Sequence, residues 1–454
     1  MEDKRKLFEG YSVPRALAVM ALPTIASQLI TLIYNLADTW FVGRTNDPYK
    51  VAACSLVLPA FMLTVVISNI FGTGGGTLIA RLIGRKRDEE AARVSAVSIW
   101  MALAAAALYS LLCLACMTPF LRFLGASENT LEYARQYMFF VIVLGGVPTI
   151  LSSTLSSMLR SIGLSSRASF GLMMGGLLNI ALDPLFMFVI MPDGRQVMGA
   201  AMATMLSNTA ALVYFIAAYR DAGRKTILRA RVGGRYPSAD SMAALFGVGL
   251  PAAASVFLFD VCNMVINRLS ASHGDIELAA IGIVLKAERF PLNIGVGICL
   301  GMVPLLAYNY SSGNRERMDA VFRFARSVGL GIGLVSVALY YAFAPNILRA
   351  FIGDADTVRY GTQFLRARCF ATPLMFLCFS MVNFTQAIGR GREAFALAVV
   401  RQIVFNIPLL FLLNGLFGMA GLVWTQAVAD LFTVIVSYAI YARIRKKEGW
   451  PAGL

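Results

Sequence analysis

Long apolar runs separated by short polar connections make up almost the whole chain. Twelve runs have about the 20 residues that a helix needs to cross the hydrocarbon core of a bilayer. They cover 16–42, 52–80, 94–118, 134–159, 168–191, 196–219, 242–270, 278–308, 321–345, 361–387, 394–414 and 417–442. The pattern predicts an all-α polytopic membrane protein with twelve transmembrane helices, which we number as spans 1 to 12.

The two halves of the sequence repeat each other. ALPTIASQ at 21–28 parallels GLPAAASV at 249–256, and GRKRDEEA at 84–91 parallels GNRERMDA at 313–320. Because each half holds six spans, both halves enter the membrane with the same polarity. We therefore expect an N-lobe (1–219), a basic linker (220–241) and a C-lobe (242–454), related by a pseudo-two-fold axis along the membrane normal. Many transporters have such parallel repeats, with a site between the halves.

Composition and charge support a membrane protein and give its orientation. The chain is 58% hydrophobic, and only 14% of its residues are charged. Of the 40 Lys and Arg residues, 27 lie in the connections on the side of the N-terminus and 10 in those on the other side. This asymmetry follows the positive-inside rule and predicts that both termini are cytoplasmic. It also explains the net charge of +15 without a nucleic-acid partner.

Most catalytic chemistry is excluded by the residues that the chain offers. His273 is the only histidine, so a site with several histidine ligands cannot form. Cys113 and Cys116 lie in the apolar run LLCLACM, where small buried side chains are the simpler interpretation. The sequence contains no Walker motif, catalytic triad or HExxH. We expect no enzymatic activity and no cofactor.

Ionisable residues within spans are costly and therefore indicate function. Asp38 lies late in span 1, Asn179 and Asp183 lie in span 5, and Thr204 lies in span 6. The four-residue spacing of Asn179 and Asp183 places both on one helix face, about 40° apart. Pro184 leaves the carbonyl of Ile180 without its helical donor. These oxygens predict a site for the coupling ion, H⁺ or Na⁺; the alternative is a set of helix-end or interhelical hydrogen bonds.

The second half carries its own charged residues within spans. Asp260 lies in span 7, Asp430 in span 12, and Lys286, Glu288 and Arg289 follow each other closely in span 8. Asp260 and Asp430 have no obvious partner in the sequence, so each could attract a cationic substrate. We take Asp260, Glu288 and Asp430 as a substrate or second acidic site, with a local ion pair among the span 8 residues as the alternative.

Several motifs together resemble the multidrug and toxic compound extrusion (MATE) family over nearly the whole chain. They are ALPTIASQLITLIYNLADTWFVGR, FGTGGGTLIARLIGRK, LLNIALDPLFMF with MGAAMAT, GMVPLLAYNY and QAIGRGREAF. Several of these segments are similar to its MepA-like/DinF-like branch. The resemblance implies the two-lobed MATE fold, with an N-lobe cation site at Asp38, Asn179, Asp183 and Thr204. Some members carry a Glu in span 7, and Asp260 is the nearest equivalent here.

The sequence therefore predicts a cation-coupled antiporter. It would export organic cations or amphipathic drugs across the bacterial cytoplasmic membrane by alternating access, as a monomer surrounded by lipid. A rival is a flippase for lipid-linked oligosaccharides or other amphiphiles; arginines should then dominate its cavity. A membrane-embedded enzyme lacks a catalytic constellation, and the major-facilitator superfamily has a different motif after span 2.

Overall fold

A computed structural model describes residues 2–45, 47–192, 194–229 and 236–450. Within these ranges all regular structure is helical. The all-α prediction is therefore confirmed. The predicted linker lies partly outside the described residues, since 230–235 are not among them.

The first six spans form one bundle. Spans 1, 2 and 3 are the helices Val13–Gly43, Pro48–Gly84 and Asp88–Ala115. Span 4 comprises Glu128–Met138, a π-helical stretch at Phe139–Leu144 and Gly146–Ser161, with a bend of 44°. Span 5 is Ser165–Leu185 followed by a π-helical stretch at Phe186–Ile190, and span 6 is Gln196–Lys225.

The second six spans form the other bundle. Spans 7, 8 and 9 are the helices Ala239–Ala271, Asp275–Ser311 and Arg315–Phe351. Span 10 comprises Ala355–Arg368 and Ala371–Ala387, with a bend of 46°. Continuous helix then runs through Gly391–Val399, a π-helical stretch at Val400–Asn406 and Ile407–Lys447.

Spans 11 and 12 are two halves of that last helical run. Its 57 residues would extend about 85 Å at 1.5 Å per residue, far more than one bilayer. Gly418 breaks it with φ 59° and ψ −141°, a backbone conformation that glycine adopts without a steric penalty. Residues 391–417 and 419–447 thus form separate spans, and the described residues provide twelve.

A short N-terminal helix, Glu2–Glu9, lies outside the predicted runs. Its Phe8 ring stacks on Tyr308 near the end of span 8, with ring centroids 4.7 Å apart. The Arg317 guanidinium donates to the carbonyl oxygens of Phe8 and Tyr11, each at 2.6 Å. These contacts fasten the start of the N-lobe to the C-lobe. We call this side of the molecule, which also carries the end of span 12, the terminal face.

The two lobes meet in the half of the molecule near the terminal face. At Gly301 in span 8, a Cβ would lie 2.7 Å from the Cα of Ala21 in span 1. At Gly249 in span 7, a Cβ would lie 2.2 Å from the carbonyl oxygen of Ile70 in span 2. Only glycine permits such close approach of two helix backbones. The described contacts between lobes therefore close the terminal side.

Candidate functional site

The predicted N-lobe residues form one polar cluster in the half of the lobe away from the terminal face. The Asn179 amide donates to Asp183 Oδ1 at 3.2 Å and to Thr204 Oγ1 at 3.3 Å. Asp183 is fully buried, and its carboxylate interacts electrostatically with that of Asp38. The structure thus joins spans 1, 5 and 6 at one place.

Three oxygen atoms in this cluster are buried without a hydrogen-bond partner among the described residues. They are Oδ1 of Asp38, Oδ1 of Asn179 and Oδ2 of Asp183. An unsatisfied buried acceptor costs roughly 1–3 kcal/mol, and more when it is charged. Carboxylate and amide oxygens are the ligands that a hard cation such as Na⁺ prefers, and a carboxylate can instead bind a proton. The chemistry of the cluster therefore fits either coupling ion.

Local packing places these side chains together. Ser165, in the first turn of span 5, donates to the carbonyl oxygen of Met20 at 2.6 Å and so holds spans 1 and 5 in contact. Gly199 lets span 6 approach the backbone of Phe186, since a Cβ there would lie 2.8 Å from that carbonyl oxygen. Directly after Pro184 the helix changes to the π-helical form at Phe186–Ile190, a distortion that often marks a functional site.

Two tyrosines near the acids were missed by the sequence reasoning. The phenols of Tyr34 and Tyr137 both interact electrostatically with Asp38 and Asp183. Tyr34 precedes Asp38 by four residues, so helical spacing could have indicated it. Tyr137 lies in span 4, far away in the sequence, and no local pattern connects it with the acids.

Asp430 is not the lone acid that the sequence suggested. Both of its carboxylate oxygens accept hydrogen bonds from Arg401, at 2.7 and 3.1 Å. The amide of Gln426 also donates to Asp430 Oδ2 at 2.8 Å. Asp430 is fully buried and the Arg401 side chain is 5% exposed. The expectation of a cavity-facing acid without a partner is therefore corrected, because its charge is neutralised by a bidentate pair.

Glu288 likewise pairs outside its own helix. Arg368 at the end of the helix Ala355–Arg368 donates to both Glu288 oxygens, at 2.9 and 3.0 Å. The alternative interpretation, a local pairing of Glu288 with Lys286 or Arg289, is not found among the described residues. Lys286 makes no salt bridge there, and Arg289 interacts with Asp260. Oδ2 of Asp260 is buried without a hydrogen-bond partner in the described part of the chain.

A cavity of about 360 Å³ lies in the C-lobe beside these charges. Its wall includes Lys286, Arg289, Glu288 and Arg368, together with Phe259 and Phe379. Lys286 and Arg289 are exposed, whereas Glu288 and Arg368 are largely buried in their pair. Across the described residues, no group of three or more His, Cys, Asp or Glu side chains could hold a metal ion.

Comparison with known families gives a match to the MatE family model. It covers residues 23–185 and again 251–412, which together make up more than half of the chain. The two matched segments fall in the first and second six spans.

Curated relatives match over nearly their full lengths. The multidrug export protein MepA of Staphylococcus saprophyticus is 30% identical over 446 residues, which is 98% of this chain and 97% of the relative. The MepA proteins of several Staphylococcus aureus strains are 29% identical over the same length.

Solved structures share the fold. A crystal structure of a MATE protein in complex with MaD3S has a TM-score of 0.90 at 23% identity, covering 97% of both chains. The outward-facing conformation of a multidrug resistance MATE family transporter of the MOP superfamily matches equally well. A MOP superfamily transporter from Pyrococcus furiosus, described as having a binding pocket of reverse polarity, has a TM-score of 0.88 at 24% identity and covers 97% of both chains.

Proposed function

Since this chain belongs to the MatE family of multidrug efflux transporters, we propose that it is a cation-coupled antiporter. The coupling ion, H⁺ or Na⁺, binds at Asp38, Asn179, Asp183 and Thr204. The exported compound is an organic cation or an amphipathic drug. Transport occurs by alternating access of the cleft between the lobes.

The observation that supports coupling is the set of buried N-lobe oxygens that have no hydrogen-bond partner among the described residues. Asp38 and Asp183 are two carboxylates in a medium of low dielectric, so both carry a negative charge only at a high cost. A proton or Na⁺ removes that cost and gives the orphan oxygens a partner. Because the cluster links spans 1, 5 and 6, occupancy by the ion would change how these helices pack. In this way ion binding could be coupled to the affinity for the exported compound.

The state of the lobes supports a direction for the cycle. They are in contact near the terminal face, and the basic connections on that side make it cytoplasmic by the positive-inside rule. The ion cluster lies toward the other face, where we place the opening to the outside. In this state the ion enters from outside as the exported compound leaves, and ion release to the cytoplasm follows the opposite closure.

We prefer a drug exporter over an oligosaccharide flippase. The two arginines of the C-lobe cavity each face an acid, Arg368 facing Glu288 and Arg289 facing Asp260, so arginines do not dominate that cavity. The curated relatives that match 97% of their own lengths are multidrug export proteins. We propose that the chain lies in the bacterial cytoplasmic membrane, and the charge asymmetry described above supports an orientation with both termini inside. We expect it to act as a monomer on small molecules.

The test is dye efflux from vesicles that contain the purified protein and carry independently imposed Na⁺ and pH gradients. We expect one gradient to drive export of a cationic dye such as ethidium, and the other to have no effect. Export that needs neither gradient would contradict coupling. Transport of a lipid-linked sugar with no transport of dye would favour the flippase.

A further inference from the structure

The balance of charge around the C-lobe cavity is the reverse of the one expected from the acids in its sequence. Three cationic side chains line it, Lys286, Arg289 and Arg368. Against them stand Glu288 in the wall and Asp260, whose neighbour Phe259 is also in the wall. Three positive charges therefore face two negative ones.

Most of these charges are paired with one another and are therefore not available to a ligand in the cavity. Glu288 and Arg368 cancel each other in a bidentate pair whose side chains are 12% and 4% exposed. Asp260 offsets Arg289, with which it interacts electrostatically. Lys286 remains, exposed to the cavity and without a salt bridge among the described residues. The uncompensated charge in the cavity is positive.

Aromatic side chains stand beside this charge. Phe259 and Phe379 line the cavity with their ring centroids 6.2 Å apart. Arg401 covers one face of Phe379 at 4.7 Å and is itself held by Asp430. Because Arg401 already occupies that face, the ring is less available to a cationic ligand. An apolar wall beside a Lys286 that has no salt bridge to a described residue suits an amphipathic molecule that carries an anionic group.

We propose that the C-lobe cavity is a binding subsite for the anionic group, such as a carboxylate, of an amphipathic substrate. Lys286 binds that group, Arg289 assists it, and the apolar part of the substrate lies against Phe259 and Phe379. The proposal rests on the proposed function and deepens it, because it assigns the C-lobe residues that distinguish an exported compound with an anionic group from one that is only a cation. It does not depend on the ion site in the N-lobe.

Two dyes that differ in one group test this subsite. One is a cationic xanthene dye with a free benzoate, which makes it a zwitterion, and the other is its methyl ester, which is a cation. Fluorescence polarisation measures the Kd of each dye for the purified full-length protein in nanodiscs, without any ion gradient. The variants are Lys286→Gln, Arg289→Gln and the rescue Lys286→Arg. Arg349→Gln, at the exposed far end of span 9, is the matched control.

Lys286→Gln should raise the Kd of the zwitterion about tenfold, the loss expected for one charge-assisted hydrogen bond. The ester should bind the variant equally well or more tightly, and Lys286→Arg should restore zwitterion binding. Arg349→Gln should change neither dye. Equal losses for both dyes, unchanged binding of the zwitterion, or a wild-type protein that does not bind the zwitterion would each overturn the proposal. Because no gradient is used, a failure of ion coupling would leave these results unaffected.

Discussion

At the residue scale, the distinction between paired and unpaired buried charges assigns different tasks to acids that look alike in the sequence. One oxygen of Asp183 has no hydrogen-bond partner in the described part of the chain, whereas both oxygens of Asp430 accept hydrogen bonds from Arg401. A carboxylate that can still accept a ligand suits reversible ion binding. A carboxylate with both oxygens in a salt bridge suits a structural link between helices. Removing either partner of that salt bridge would leave an uncompensated buried charge.

We expect Asp430→Asn to destabilise the C-lobe by about 3–5 kcal/mol, the cost of breaking a buried ion pair. The double variant Asp430→Leu with Arg401→Met should recover most of that loss, since it removes both charges together. Thermal unfolding in detergent measures the stability, and dye efflux measures the function. A single variant as stable as the wild type, but unable to bind cationic dyes, would show that Asp430 acts on the substrate instead.

At the scale of helices, the sequence predicted the positions of the spans well, but it did not predict which charged side chains pair between them. Twelve apolar runs predicted the twelve spans. A segment in lipid must satisfy its backbone hydrogen bonds internally, so each span is a helix with apolar side chains. The N-terminal helix was missed because EDKRKLFE is mostly polar and has only Leu7 and Phe8 to bury. The pairs Arg401 with Asp430 and Arg368 with Glu288 are separated by 29 and 80 residues, so only the packing of the helices reveals them.

The predicted N-lobe cluster was easier to find than these pairs. Asn179 and Asp183 share one helix face, so their spacing alone brings them together. Thr204 and Asp38 join them because spans 6 and 1 pack on span 5, which the resemblance to a known family implied. The ligand roles of these residues stay predictions.

The crossing of spans 1 and 8 depends on Gly301, where a Cβ would lie 2.7 Å from the Cα of Ala21. Gly301→Ala should therefore push the helices apart and cost roughly 1–3 kcal/mol, as overpacking does. Gly331→Ala in span 9 is the matched control, since among the described residues nothing outside the adjoining turns of its own helix lies within 4 Å of the added Cβ. Unfolding midpoints of the two variants in detergent make the comparison. Equal stability would mean that the close crossing contributes nothing.

At the scale of the whole molecule, the lobes, the charge asymmetry and the polar cluster of the N-lobe are consistent with one orientation. The contacts between lobes and most basic connections lie at the terminal face, and the cluster lies toward the other side. In the proposed orientation, such a molecule would load an ion from outside while its terminal side is closed. Rocking of one lobe against the other about these glycine crossings would then reverse the access.

The orientation of the protein in the membrane is tested by replacing two serines, one at the end of each of two consecutive helices, with cysteine. Ser272 follows span 7 and Ser312 follows span 8, and both are exposed C-cap residues. Because the chain has seven free cysteines, of which Cys116 is exposed, both substitutions are made in a background with these cysteines replaced by serine. In intact cells, a membrane-impermeant maleimide should then label Ser272→Cys and leave Ser312→Cys unlabelled until the membrane is permeabilised. The reverse pattern would place the terminal face outside.

The central claim is that drug export is exchanged for an ion bound at the N-lobe cluster. The most direct measurement is the flux of H⁺ or Na⁺ that adding the transported dye induces in vesicles containing the purified protein. The wild type should move ions against the dye flux. Asp183→Asn should lose this ion flux while still binding the dye, and Asp240→Asn, an exposed acid at the start of span 7, should retain it. Undiminished dye-induced ion flux in Asp183→Asn would contradict the account.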